Sequence, residues 1–213
     1  MSNPIIIGFT VLEAAKLHMS RIFYDFFRKA HPNITALYGD TDSLVVAIPN
    51  VPNIAAVNQS LRKILDLSTQ PRNSPLFNLK NQGKLGYMKD EMKGEKIAEF
   101  VGIRSKVYSI KMANQKVQNT LKGVKSHISK KIPFNHFKKC LKEKTIYSIS
   151  QKQFFTKQQK ISIRSQKKVG MTPISDKTWV LSKCGIHSVP LGSIHFKSEE
   201  EKCTRCEQIN YTL

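Results

Sequence analysis

Asp40 and Asp42 carry the clearest chemistry in the sequence, lying two residues apart in the stretch Leu37-Tyr38-Gly39-Asp40-Thr41-Asp42-Ser43-Leu44-Val45-Val46. Ile34, Ala36 and Leu37 lead in, Gly39 permits a sharp bend, and Leu44 to Ile48 is an almost unbroken apolar run of the kind that forms a buried strand. On extended chain, residues i and i+2 point to one side. Both carboxylates can therefore face one small volume at the tip of a hairpin. Like charges so close raise each other's pKa unless a cation joins them, and oxygen-rich carboxylate pairs suit Mg²⁺. The chemistry this suggests is metal-assisted phosphoryl or nucleotidyl transfer. A Gly-Asp-x-Asp-Ser string also makes an ordinary polar turn, so these residues alone leave both readings open.

Several elements must position that tip. From Thr10, apolar residues recur at Leu12, Ala15, Met19, Phe23 and Phe26, which predicts an amphipathic helix of about five turns supporting a sheet. Thr10 and Glu13 have capping-box spacing, and Pro32 stops the helix. Met1 to Ile7 reads as an extended lead-in broken at Gly8. Pro49 to Gly83, rich in Asn, Gln, Ser and Pro, reads as an excursion from the core with one helix around Ile54 to Leu67. Asp90 and Glu91 are adjacent and diverge on a strand, which makes them salt partners for Lys89 and Lys93. Ile97 to Ile110 reads as two strands, placing Lys106 and Tyr108 on one face. There a cation beside a phenol can hold a phosphate and pack a sugar or base. Phe134, Phe137, Leu141 and Tyr147 have helical spacing, and Gln151 to Gly170 is polar and basic, with Ile161 and Ile163 hinting at a strand.

The chain has 213 residues, ample for a core, and a formal charge of +20. That excess predicts a polyanionic partner, nucleic acid first and an acidic membrane surface second. Between Arg104 and Lys197 only Glu143 and Asp176 are acidic amid about twenty Lys and Arg, as expected of a surface that follows a phosphate backbone. Four cysteines in a chain of this length do not make a disulfide framework, so an intracellular, reducing compartment is expected. Ile5-Ile6-Ile7 is too short for a signal peptide or membrane span, and no membrane partner is expected. A rival constellation lies near the end: Cys184-x2-His187 and Cys203-x2-Cys206 have the spacing of zinc ligand pairs.

The longer string Tyr38-Gly39-Asp40-Thr41-Asp42-Ser43 resembles the motif C hairpin of family B DNA polymerases, and its surroundings resemble their protein-primed branch, found in viruses, linear plasmids and self-synthesising transposons. Pro4 to Phe9 and Leu12 to Leu17 look like the palm helix preceding that hairpin. Pro75-Leu76-Phe77 and Leu85 to Glu91 look like the route back to the palm sheet. Lys106-Val107-Tyr108 matches the family's Lys-x-Tyr, which settles the primer terminus. Lys122-Gly123-Val124-Lys125 resembles the start of the thumb, and Asp176 to Leu181 with Gly185 to Gly192 resemble the family's C-terminal end, where His187 is structural.

The resemblance implies an α+β architecture: an antiparallel palm sheet with a supporting helix over 1–110, a mostly helical basic thumb over 111–195, and a charged tail over 196–213. It implies a DNA-directed DNA polymerase using two Mg²⁺ ions, deoxynucleoside triphosphates and primer-template duplex DNA. Asp42 would be the main metal ligand and Asp40 its neighbour, with Lys106 and Tyr108 at the primer end and Lys122 and Lys125 on DNA. The sequence departs from the family in lacking the Asp-x-x-Ser-Leu-Tyr-Pro strand (motif A), the Lys-x-x-x-Asn-Ser-x-Tyr-Gly helix (motif B) and the exonuclease carboxylates. The chain then corresponds to a C-terminal portion, inactive without the remaining polymerase segments and poorly soluble through exposed strand edges. Two other functions stay open: a non-catalytic DNA-binding remnant, and a zinc-stabilised basic interaction protein.

Overall fold

The computed structural model describes residues 4–174, 178–180 and 188–190. The chain divides into two compact units, Met1–Lys138 and Lys139–Leu213.

The first unit opens with α1 (Ile5–Arg21), which continues through a π-helical segment (Ile22–Phe27) into α2 (Arg28–Ala30). Helix thus begins five residues before the expected cap. Pro4 sits at the N-cap without a side-chain bond, and the Thr10 hydroxyl donates back to the Ile6 carbonyl (2.9 Å) instead of capping. Gly8 lies inside the helix, and Ile5 to Ile7 are helical, not extended. α1 buries none of its residues, and Leu12 and Phe26 of the expected apolar stripe are exposed. Only its C-terminal end reaches a core.

That core comes from the stretch expected to leave it. Val57, Leu61, Ile64, Leu65 and Leu67 form the main buried cluster with Ile22, and Met19, Phe27, Ile48, Val51 and Met88 pack against it. α3 (Ile54–Ser60) is capped by the Asn53 side chain, which accepts from the Ala56 N–H (2.8 Å). The helix stops at Ser60 because Leu65 and Asp66, as β3, pair in parallel with β4 (Met88–Lys89). The Asn- and Gln-rich composition hid an apolar face repeating at helical and then strand spacing.

Two further sheets complete this unit. β1 (Thr35–Asp40) and β2 (Ser43–Ala47) form an isolated antiparallel hairpin, and β5 (Ile97–Arg104), β6 (Val107–Met112) and β7 (Val117–Leu121) form a three-stranded meander. A boundary after residue 110 would cut β6, whose pairing with β7 joins 117–121 to the preceding strands. α4 (Ser126–Ser129) follows, anchored by Asn119. Its amide donates to the carbonyls of Ser129 and Ile132 (both 2.8 Å), and its oxygen accepts from the buried Ser109 hydroxyl (2.6 Å). α5 (Phe134–Lys142) crosses the unit boundary, with Phe134 and Phe137 buried, as their spacing predicts, and Leu141 exposed.

Among its described residues the second unit is not mostly helical. Its dominant element is a long antiparallel hairpin, β8 (Tyr147–Lys157) and β9 (Lys160–Met171), followed by the short pair β10 (Thr178–Val180) and β11 (Ser188–Pro190). Alternating side chains over 147–157 suit a two-faced ribbon, and the pattern has period two where a helix needs 3.6. The architecture is α+β with small, mostly antiparallel sheets. Among the described residues no helix is long and apolar enough to cross a membrane.

Candidate active site

Asp40 closes β1 opposite Ser43, leaving Thr41 and Asp42 as the whole connection. The Asp42 N–H donates to the Asp40 carbonyl two residues back (2.7 Å), and Thr41 takes a φ of +58°. A β-branched residue in that region is strained, and the i to i+2 bond marks the tight, uncommon hand of γ-turn. The chain reverses between the two carboxylates, so they do not share a strand face as extended spacing would require. Asp40 is partly buried and Asp42 is exposed at the tip.

The second hairpin delivers Lys106 from its turn. Lys106 is the left-handed residue of the β5–β6 connection (φ +59°), a position where glycine is usual, and lies outside β6. It therefore does not share a strand face with Tyr108, which stands opposite Gly102 in the meander. Yet both reach the first hairpin. The Lys106 ammonium donates to both Asp40 oxygens (2.9 and 2.8 Å), and its backbone N–H donates to the Tyr38 hydroxyl (2.8 Å). The rings of Tyr38 and Tyr108 lie 4.9 Å apart, and Phe100 stands 6.0 Å from each. Such tilted contacts at 4.5–7 Å are favourable for aromatic rings. The Lys122 N–H donates to the Lys106 carbonyl (2.9 Å), tying β7's end to the same turn.

The electrostatics follow from this packing. The Lys106 hydrogen bonds, with its charge and a lesser contribution from Lys122, outweigh desolvation and hold the Asp40 carboxyl below the usual carboxylate range. Asp40 in turn, with smaller contributions from Tyr38 and Asp42, raises the Lys106 amine above the usual lysine value. A tethered cation thus already neutralises one of the two carboxylates. A single Mg²⁺ takes one or two carboxylates and fills its octahedron with water or phosphate, which Asp42 and Asp40 can supply if Lys106 yields. A pair of ions needs more: among the described residues no three His, Cys, Asp or Glu side chains gather.

Compared with protein-family models, curated proteins and solved structures, the chain matches none. Its site is described by its own residues alone.

Of the residues expected to act, the structure brings together Asp40, Lys106 and Tyr108, with Asp42 at the same tip, and adds Tyr38 of the motif string. Lys122 joins through its backbone, while Lys125 begins the chain's turn into α4. Asp90 is not a salt partner. Its carboxylate accepts from the Met92 and Gly94 N–H groups (2.9 and 2.8 Å) and from the Gln70 amide (3.2 Å), and Glu91 alone pairs with Lys89. Cys184, His187, Cys203 and Cys206 lie outside the described residues, as does the tail over 196–213. Phe100 and Gly102 went unnoticed in the sequence. A Cβ on Gly102 would stand 3.0 Å from the Phe100 ring, so that glycine gives the ring room beside Tyr108. An aromatic two residues before a glycine, in a strand facing Tyr108, was the available signal.

Proposed function

We propose that this chain carries the motif C hairpin and later palm strands of a protein-primed family B DNA polymerase, and takes part in template-directed nucleotidyl transfer once other segments complete the site. One observation carries the reading: Tyr38-Gly39-Asp40-Thr41-Asp42 and Lys106-Val107-Tyr108, motifs 66 residues apart, meet through the Lys106–Asp40 ion pair and the Lys106–Tyr38 hydrogen bond. In this reading Asp42 is the main Mg²⁺ ligand and Asp40 the second. When bound, Mg²⁺ supplies Lewis-acid stabilisation of the charge on the transferred phosphoryl oxygens. Lys106, released from Asp40, pairs with a primer-terminal phosphate, and Tyr108 packs against the terminal sugar. Lys122 and Lys125 with the neighbouring basic surface hold duplex DNA by its backbone.

A second reading, a DNA-binding protein without catalysis, is favoured by the same ion pair, because Lys106 already satisfies both Asp40 oxygens. Single-nucleotide extension of a labelled primer-template with Mg²⁺ separates the two. The chain alone should not extend; mixed with a separately expressed segment bearing motifs A and B, it should. Asp42→Asn should then cut extension about a hundredfold or more, with DNA affinity unchanged. Salt-sensitive DNA binding without extension in the mixture would leave only the second reading.

A further inference from the structure

The β8–β9 ribbon has two unlike faces. Register pairs Phe154 with Ile163, Lys152 with Ser165, Ser150 with Lys167, Thr156 with Ile161 and Ser148 with Val169. Cross-strand partners share a face, and every one of these side chains is exposed. Phe154 is 72% exposed, Ile161 76% and Ile163 64%. The other face is partly covered along β8, where Tyr147, Ile149, Gln151, Gln153 and Phe155 alternate with it, and there Arg164 stacks over the Phe155 ring (5.1 Å).

The charge on this ribbon has one sign. Between Tyr147 and Met171 stand Lys152, Lys157, Lys160, Arg164, Lys167 and Lys168, with no Asp or Glu. Lys157 and Lys160 stand directly opposite each other at the tip, an arrangement that destabilises a hairpin unless an anion lies between. Rows on the open face are about 6.8 Å apart, and five of them span about 27 Å.

We propose that this open face is a platform for single-stranded nucleic acid, with Phe154 stacking on a base and Lys152 and Lys167 tracking the phosphates beside it. The proposal rests on the ribbon's own composition and register and is independent of the polymerase reading. Three alternatives fit less well. A duplex keeps its base faces stacked inside and offers Phe154 no ring to lie on. An acyl interface would strip water from Ser148, Ser150, Thr156 and Ser165 without giving them hydrogen-bond partners, whereas sugars and phosphates provide them. A second copy packed on this face would bring Lys152 and Lys167 of one chain against the same two cations of the other. An aromatic beside cations on an open sheet, by contrast, is how sequence-tolerant single-strand binding is built.

The full chain is titrated into fluorescein-labelled dT20, rU20, a 20-base-pair duplex and vesicles of phosphatidylcholine with phosphatidylserine. Phe154→Ala should weaken dT20 or rU20 binding about tenfold while leaving the duplex unchanged, and the stronger of the two strands identifies DNA or RNA as the source. Lys152→Gln with Lys167→Gln should lower the slope of log affinity against log salt by about 1.4. Trp179 is the chain's one tryptophan. In a Trp179→Phe background, Phe154→Trp should show fluorescence quenching on adding dT20, a stacking signature that mere charge attraction would not produce. Equal loss of duplex and single-strand binding, or no change with Phe154→Ala, would overturn the proposal. So would a blue shift in the emission of the Phe154→Trp chain on vesicles with no quenching by dT20, which would assign the face to a lipid surface.

Discussion

The meeting of the two hairpin tips and the β8–β9 ribbon show two ways for a basic chain to expose function. At the tips, residues far apart in sequence satisfy one another: Lys106 reaches Asp40, Tyr38 reaches the Lys106 backbone, and three rings close around them. The ribbon is local, held by its own ladder, with charge of one sign and an aromatic left open to solvent. The first arrangement is already neutralised and must open to act. The second is ready for a polyanion as it stands. Conditions that titrate carboxylates should therefore disturb the tips and spare the ribbon.

The largest expected separation comes from Asn119. Asn119→Ala removes the donor to two carbonyls and the acceptor of a buried serine hydroxyl, and should lower the stability of the first unit by about 2 kcal/mol. Amide exchange should quicken in 107–121 and stay unchanged in 147–171. Uniform quickening would show that the two regions unfold as one.

A gain is expected at the ribbon's turn. Gln158 and Gln159 both take positive φ (49° and 60°), the geometry of a type I′ turn that favours Asn-Gly. Gln158→Asn with Gln159→Gly should stabilise the hairpin by about 1 kcal/mol, read as slower exchange of 147–171, with dT20 affinity unchanged.

The tips carry a pH dependence with two limbs. Asp40's pKa is depressed, so its contribution is present above the ordinary carboxylate value, about 4, and is lost as pH falls through the lower folded value. Lys106's pKa is raised, so its contribution is full below the ordinary lysine value, about 10, and is lost as pH rises through the higher folded value. Ring chemical shifts of Tyr38 and Tyr108 should hold constant between those limits and move outside them. Asp40→Asn should reproduce the acid shifts at neutral pH. The smallest change is expected from Gly102→Ala, which displaces the Phe100 ring by tenths of an ångström and shifts Tyr108 alone.

The strands 35–47 and 97–112 were legible because each hairpin carries its apolar alternation and turn residues locally. Their meeting was not, since the Lys106–Asp40 contact depends on the path of the intervening chain. Pro49 to Gly83 looked like surface because it holds as many Asn, Gln and Ser as apolar residues, although Val57, Leu61 and Ile64 keep the spacing of one buried face. Of the ribbon only a strand at Ile161 and Ile163, now part of β9, showed in the sequence, for the opposite reason. Its turn is Gln-Gln, which carries no glycine signal, and its strands are too rich in lysine and glutamine to advertise a sheet. For the site, Asp40, Asp42, Lys106 and Tyr108 could be named from local strings, but the turn position of Lys106 and the reversal at Thr41 required backbone geometry.

The π-helical segment Ile22–Phe27 takes up one extra residue between two stretches of helix. A π turn holds one residue more than an α turn, and each residue of an α-helix rotates the chain by about 100°. Deleting a single residue within 22–27 would let the helix close in ordinary α register with its flanks in nearly their present phase, since one fewer residue then makes the same turn. Met19 would then stay against the buried cluster, whereas the same deletion in a continuous α-helix would swing it off by about 100°. The anchored face of an otherwise uncovered helix thus survives a change of one residue in chain length.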